Sequence, residues 1–99
     1  MSVKAEVDSE AKQVTIFVKG AFGFNLIHEF KRCYSDKREY QFIIDLRKVD
    51  YIDSAGLGIL INMQNYLEQS DGAIRLTNTL PQVRKVLAIS RFDKKFKIE

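Results

Sequence analysis

The sequence predicts a single α/β domain spanning residues 1–99, built as a mixed β-sheet of four to five strands with helices packed on it. Three observations predict it. Short β-branched runs with a period of two alternate with segments whose apolar residues recur every three or four positions. The resulting order, β-β-α-β-α-β-α-β, opens with a hairpin and continues in strand–helix–strand units, a pattern that calls for a mixed sheet. A chain of 99 residues is long enough for one modest core, and no repeat or linker divides it.

Residues 3–7 alternate weakly and suit an edge strand, with Asp8 to Lys12 as the hairpin turn. Gln13 to Lys19 is a strand: Val14, Ile16 and Val18 alternate with Thr15, Phe17 and Lys19. Gly20 ends it. Asn25 is the expected N-cap of a helix carrying Ile27, Phe30, Cys33 and Tyr34 on one face, because its side chain accepts from free amides of a first turn. The polar run Ser35 to Glu39 closes that helix. Tyr40 to Leu46 contains Phe42-Ile43-Ile44, the continuous apolar run of a strand covered on both faces. Arg47 to Asp53 is expected to be a loop, with Val49, Tyr51 and Ile52 packing under it.

A second helix is expected from Ser54 to Gln69, its stripe made of Leu57, Leu60, Ile61 and Leu67 with Met63 beside it, and Gly72 as its stop. Ala73 to Thr77 is a strand with Ile74 and Leu76 facing one way. Pro81 suits the first position of a third helix, with Val83, Val86 and Leu87 inward. Phe96 and Ile98 suggest a last strand. The crossovers from Leu46 to Ala73 and from Thr77 to Phe96 would be right-handed if their strands run parallel.

Composition narrows the function. Sixteen basic against thirteen acidic residues leave a formal charge of +3, a mild excess spread along the chain, which argues against a nucleic-acid binder. The single cysteine, Cys33, cannot form an intramolecular disulfide and suits a reducing compartment. No run reaches the ~20 apolar residues of a membrane span, and no signal-peptide stretch opens the sequence. A cytoplasmic protein is the expectation.

The segment Tyr51-Ile52-Asp53-Ser54-Ala55-Gly56-Leu57-Gly58 carries the chemistry. Ser54 stands where a helix begins, where the first amides lack partners and the helix dipole is positive. A phosphate there would gain charge-assisted hydrogen bonds. Ala55, Gly56 and Gly58 leave room for a phosphate or for a partner's backbone. Each glycine costs a helix about 1 kcal/mol relative to alanine, so a reason beyond helix formation is indicated. The plain alternative stands beside this one: Asp-Ser is a common capping pair, and glycines also serve tight helix–sheet packing.

The hexapeptide Asp53 to Gly58, preceded by Phe42-Ile43-Ile44-Asp45-Leu46, resembles the signature of anti-sigma-factor antagonists in the STAS domain family (sulfate transporter and anti-sigma-factor antagonist). The resemblance extends to Val18-Lys19-Gly20, Gly72 to Leu76, Val83 to Leu87 and Phe92 to Ile98. It implies that Ser54 is the phosphoacceptor and that Asp53, Ala55, Gly56, Leu57 and Gly58 form its environment. It implies as partners a serine kinase of the anti-sigma-factor type, bound by the unphosphorylated form so that the kinase's client is released, and a PP2C-type phosphatase. No enzymatic activity, cofactor or metal is expected. An alternative within the same family is a constitutive adaptor, for example in a lipid transporter complex, that works without phosphorylation.

One departure from the family pattern falls in the loop Gly20-Ala21-Phe22-Gly23-Phe24-Asn25, where Gly23 occupies a position that is frequently Asp. Phe22, Gly23, Phe24 and Asn25 are the candidate partner contacts. Both rings read most simply as core, and the sharper alternative exposes at least one of them to a partner. His28 is the only histidine and, with Cys33 alone beside it, makes a zinc site improbable. His28 is expected at the surface and Cys33 inside. A serine hydrolase would need a base and an oxyanion hole, and Gly-x-Ser-x-Gly is absent because residue 52 is Ile. Arg91, Lys94, Lys95 and Lys97 are expected on a solvated face.

Overall fold

The structure, a computed structural model, describes residues 2–99. The strands are β1 (Val3–Asp8), β2 (Gln13–Phe22), β3 (Gln41–Ile52), β4 (Arg75–Thr77) and β5 (Lys97–Ile98). The helices are α1 (Ile27–Lys31), α2 (Ser54–Leu67) and α3 (Pro81–Ile89), with 3-10 turns at Phe24–Leu26 and Phe92–Lys94. The strands form one sheet in the order β1-β2-β3-β4-β5. β1 and β2 are antiparallel and every other pair is parallel, so the expected mixed sheet forms. A third crossover, through α1, joins β2 to β3.

One face of the sheet builds the core. Val14, Ile16 and Val18 of β2, Phe42, Ile44 and Leu46 of β3, and Ile74 and Leu76 at β4 are all buried. They pack with Leu60, Met63 and Leu67 of α2 and Val83 and Leu87 of α3 in one cluster. The alternate residues Thr15, Phe17, Ile43, Arg75 and Thr77 are only half-buried. That division follows from the period-two geometry of a strand. Among the described residues, no helix is long and apolar enough to cross a membrane.

Residues 47–52, expected as a loop, are strand. β3 runs on to Ile52 beside β2, which itself continues through Gly20 to Phe22. The register shows why the sequence conceals this. Phe17 pairs with Asp45, Lys19 with Lys48, Gly20 with Val49, Ala21 with Tyr51 and Phe22 with Ile52. β3 therefore carries one extra residue twice, and each bulge resets the alternation. Its buried residues fall at Leu46, Val49 and Ile52, three apart, so no period of two survives. Tyr51 is consequently exposed rather than packed underneath. Gly20 does not stop β2; at φ 86° it supplies the left-handed kink within the bulged stretch.

The helix starts also differ. Asn25 lies inside the 3-10 turn and caps nothing, and no side chain caps either that turn or α1. α1 is five residues long, and Cys33 and Tyr34 follow it in turns. The aromatic rings give this region its cohesion: Phe22 meets Phe30 at 5.3 Å between centroids, Phe30 meets Tyr34 at 6.0 Å, and Tyr34 meets Tyr66 at 5.6 Å. The Tyr66 hydroxyl donates to the Ser35 carbonyl.

α2 ends at Leu67, with Glu68 in the left-handed conformation at φ 53°, and Gly72 lies in the turn beyond. Its buried face is Gly56, Leu60, Met63 and Leu67, flanked by Ile59 and Gln64. The expected stripe is thus rotated: Leu57 and Ile61 are only half-buried. Buried Gln64 donates to the Asp71 carboxylate at 3.1 Å and to the Lys95 carbonyl at 3.2 Å, a polar anchor that an apolar pattern does not reveal.

Candidate functional site

The end of β3 delivers Ile52 and Asp53 to the start of α2. Burial of Ile52 sets the direction of the chain, and Asp53 leaves the strand in extended conformation as the N-cap. Its Oδ1 accepts the Gly56 N–H at 2.9 Å, and its carbonyl accepts the Leu57 N–H at 3.0 Å. Asp53 thus caps the helix, as the plain reading of the Asp-Ser pair expects. Ser54 is the first helical residue and is exposed. The Ser54 and Ala55 amides precede the first intrahelical bond and have no acceptor within the helix.

Gly56 and Gly58, grouped together by the sequence, separate here. A Cβ on Gly56 would lie 2.1 Å from the Phe22 carbonyl oxygen and 2.8 Å from the Ile52 side chain. Gly56 is therefore demanded by the docking of α2 against the end of β2. A Cβ on Gly58 would meet nothing within 4 Å. Packing within the domain gives no reason for that glycine. Ser54 and Gly58 are four residues apart and share one helix face, with Ile61 and Asn65 continuing it outward. Ala55 and Leu57 are half-buried at its margins.

The candidate partner contacts also divide. Phe22 is fully buried, and Gly23 is buried beside the Asp53 carboxylate. A Cβ on Gly23 would sit 2.9 Å from Asp53 Oδ2 and 3.2 Å from Oδ1. Phe22 is thus core, as its simplest reading expects, and neither of these two candidate contacts lies open at the surface. Phe24 is 74% exposed, the largest exposure of any large hydrophobic residue described, and Asn25 is exposed beside it. Tyr51, 58% exposed, adds a second open aromatic three residues before Ser54. Sequence reading missed it, and no local signal shows it because the bulges hide the phase of β3.

A polar cluster sits at the first bulge of β3. Asp45 is buried, its Oδ1 accepting the Arg47 N–H at 3.0 Å, and the Arg47 guanidinium and the Asn78 amide complete its shell. Burial pushes the Asp45 carboxyl up. The Arg47 amide and guanidinium and the Asn78 amide outweigh burial and hold its pKa below the ordinary carboxylate value. Arg47 lies in the first bulge, and the Asp45 carboxylate satisfies its N–H there.

The remaining candidates lie outside this constellation. His28 is exposed on α1. Cys33 is half-buried rather than fully buried, and burial, with the nearby Glu29 charge, pushes its thiol pKa up. That favours the unreactive thiol form. Arg91, Lys94, Lys95 and Lys97 are exposed, as expected of a solvated face.

A family model for the STAS domain matches residues 2–99. Over 100 aligned residues, covering 99% of each chain, the sequence is 33% identical to a STAS-domain containing protein of Pseudomonas aeruginosa. Among solved structures, the anti-sigma factor antagonist SpoIIAA in its unphosphorylated form superposes with a TM-score of 0.78 at 21% identity, covering 98% of this chain and 87% of that one. The phosphorylated form of SpoIIAA, a Bacillus cell fate determinant, superposes with a TM-score of 0.71 at 20% identity, covering 98% and 90%. At those identities the structural likeness is one of fold.

Proposed function

This chain belongs to the STAS domain family, and on that premise we propose that it is a regulatory binding protein switched by phosphorylation of Ser54. The observation that carries the reading is the exposed Ser54 hydroxyl on the first turn of α2, one helical turn from a glycine that the fold itself does not need. Unmodified, Ser54, Gly58 and Ile61 offer a small, nearly neutral strip, with Phe24 and Tyr51 as open aromatic anchors near the helix start. The partner is a serine kinase of the anti-sigma-factor type, whose client is set free when this protein binds. A PP2C-type phosphatase restores the binding form.

Phosphorylation adds about 1.5 to 2 negative charges at neutral pH. Within the free protein the added oxygens have the unpaired Ser54 and Ala55 amides and the helix dipole to satisfy them. Against a partner the balance reverses, because a desolvated dianion without matched cations costs several kcal/mol, and about 1.4 kcal/mol is already tenfold in affinity. Asp53 adds like charge, so the switch requires no rearrangement of the fold. SpoIIAA, a neighbour of the same fold, has been seen in both unphosphorylated and phosphorylated forms, which supports this reading.

Incubation with the cognate kinase and ATP should add one phosphate by intact mass, mapped to Ser54, and should abolish tight kinase binding. A Ser54→Ala variant labelled as fully as the parent would overturn the proposal. If instead Ser54→Ala changes nothing and the protein co-purifies with transporter subunits, the constitutive adaptor is the better description.

A further inference from the structure

The outer edge of the sheet is β1. It runs antiparallel to β2, with Val3 opposite Val18, Ala5 opposite Ile16 and Val7 opposite Val14. The Lys19 N–H donates to the Ser2 carbonyl at 2.8 Å. In an antiparallel pair, residues alternate between exchanging both hydrogen bonds and exchanging none. Ser2 sets the bonded phase, so Lys4, Glu6 and Asp8 direct their backbone groups to β2. Val3, Ala5 and Val7 direct theirs away from the sheet, Ala5 and Val7 as exposed residues and Val3 as a buried one. Among the described residues no other strand meets that edge.

The sequence along this edge is self-complementary. Val3-Lys4-Ala5-Glu6-Val7 reads the same in reverse once Lys and Glu are exchanged. An antiparallel second copy centred on Ala5 would set Val3 against Val7, Ala5 against Ala5 and Lys4 against Glu6. The hydrogen-bonding phase agrees, since the outward groups of Val3, Ala5 and Val7 would meet the outward groups of the second copy's Val7, Ala5 and Val3. Lys4 and Glu6 would then occupy the closely spaced, non-bonded positions, where side chains approach most nearly.

Charge also favours this register. A shift of two in one direction sets Lys4 against Lys4; in the other it sets Glu6 against Glu6 while placing Lys4 opposite Asp8 on both sides, so the Ala5-centred register, with two opposite-charge pairs and no like-charge pair, is the best of the three. A lysine on an edge strand ordinarily discourages strand addition. It does so only when the incoming strand lacks a counter-charge, and here the same strand supplies one. Within one chain Lys4 and Glu6 make only an exposed contact, Nζ to Oε2 3.7 Å, which leaves both free to exchange partners. Val7, 47% exposed, would lie opposite Val3 of the second copy, which is already buried in its own core, so the apolar gain falls on Val7.

We propose that β1 is a homodimerisation edge, on which a second copy of this chain adds antiparallel about a two-fold axis through Ala5 to make one continuous sheet. The proposal does not rest on the Ser54 reading.

Analytical ultracentrifugation over a series reaching millimolar concentration tests it, because interfaces below about 1,200 Å² are weak. A monomer–dimer equilibrium is expected. Lys4→Glu and Glu6→Lys each create two like-charge pairs and should raise the dissociation constant roughly tenfold or more. Mixing the two single variants, or combining them in one chain, should restore dimerisation, which separates pairing from any loss of fold. Hydrogen exchange should show the exposed Ala5 and Val7 amides gaining protection with concentration, while the Lys4 and Glu6 amides are protected throughout. A monomer at every concentration overturns the proposal. So does a dimer that neither charge variant weakens, or exchange at Ala5 and Val7 that is independent of concentration.

Discussion

The Phe22 carbonyl oxygen and Gly56 are so close that a Cβ on the glycine would lie 2.1 Å from the oxygen. This contact seats the first turn of α2 on the end of β2 and so determines where Ser54 emerges. Gly56→Ala should force the helix off the strand and cost about 1–3 kcal/mol, measured by denaturant unfolding. Gly58→Ala, with open space around it, should stabilise the domain by up to about 1 kcal/mol through helix propensity. If the outward face of α2 is the partner surface, the same Gly58 variant should bind the kinase more weakly. Opposite signs for stability and binding in one variant would be difficult to obtain from a purely structural glycine.

Gly23 is matched to the Asp53 cap. Gly23→Asp would press a second carboxylate against Asp53. A loss of about 1–3 kcal/mol is expected. Asp53→Ser keeps a capping oxygen while removing the charge, so the Gly23→Asp, Asp53→Ser pair should lose less than the sum of the single changes. A double-mutant cycle measures that coupling.

Phe24 contributes little to the fold, being mostly exposed. Phe24→Ala should leave unfolding free energy within about 0.5 kcal/mol of the parent. Kinase affinity should fall roughly tenfold or more if the ring is an interface anchor, read by titration calorimetry. Phe22→Ala, by contrast, removes a buried ring and should cost about 3–5 kcal/mol.

Asp45 ties stability to pH. Its carboxyl pKa is held down in the folded chain by Arg47 and Asn78 against the opposing effect of burial. A carboxyl with a lower pKa folded than unfolded contributes stability above the unfolded value of about 3.9, and that contribution fades as pH falls through the folded value. Asp45→Asn should therefore lower stability at neutral pH by about 1–3 kcal/mol. Its unfolding free energy should also depend less on pH below about 4, where the parent is losing the Asp45 contribution. Urea titrations at a series of pH values check both.

Elements whose patterns are local were legible in the sequence. The alternation of Val14, Ile16 and Val18, the run Phe42 to Ile44, and Pro81 ahead of Val83 and Leu87 suffice to define strands and a helix, because strand and helix periods are properties of the chain itself. The hexapeptide at Asp53 to Gly58 was legible as a helix start; the family resemblance, not a local period, made it the candidate site. Tertiary structure alone decided the rest. β3 continues past Leu46 because β2 lies beside it, and its two bulges erase the alternation that would have announced the strand. Gly56 and Gly58 are chemically identical in sequence and differ only in that the Phe22 carbonyl stands over one of them. Phe22 and Phe24 are likewise the same residue type two positions apart, and the turn at Gly23 sends one ring into the core and the other into solvent. Close approach and exposure depend on neighbours distant along the chain, and a single sequence carries no local record of them.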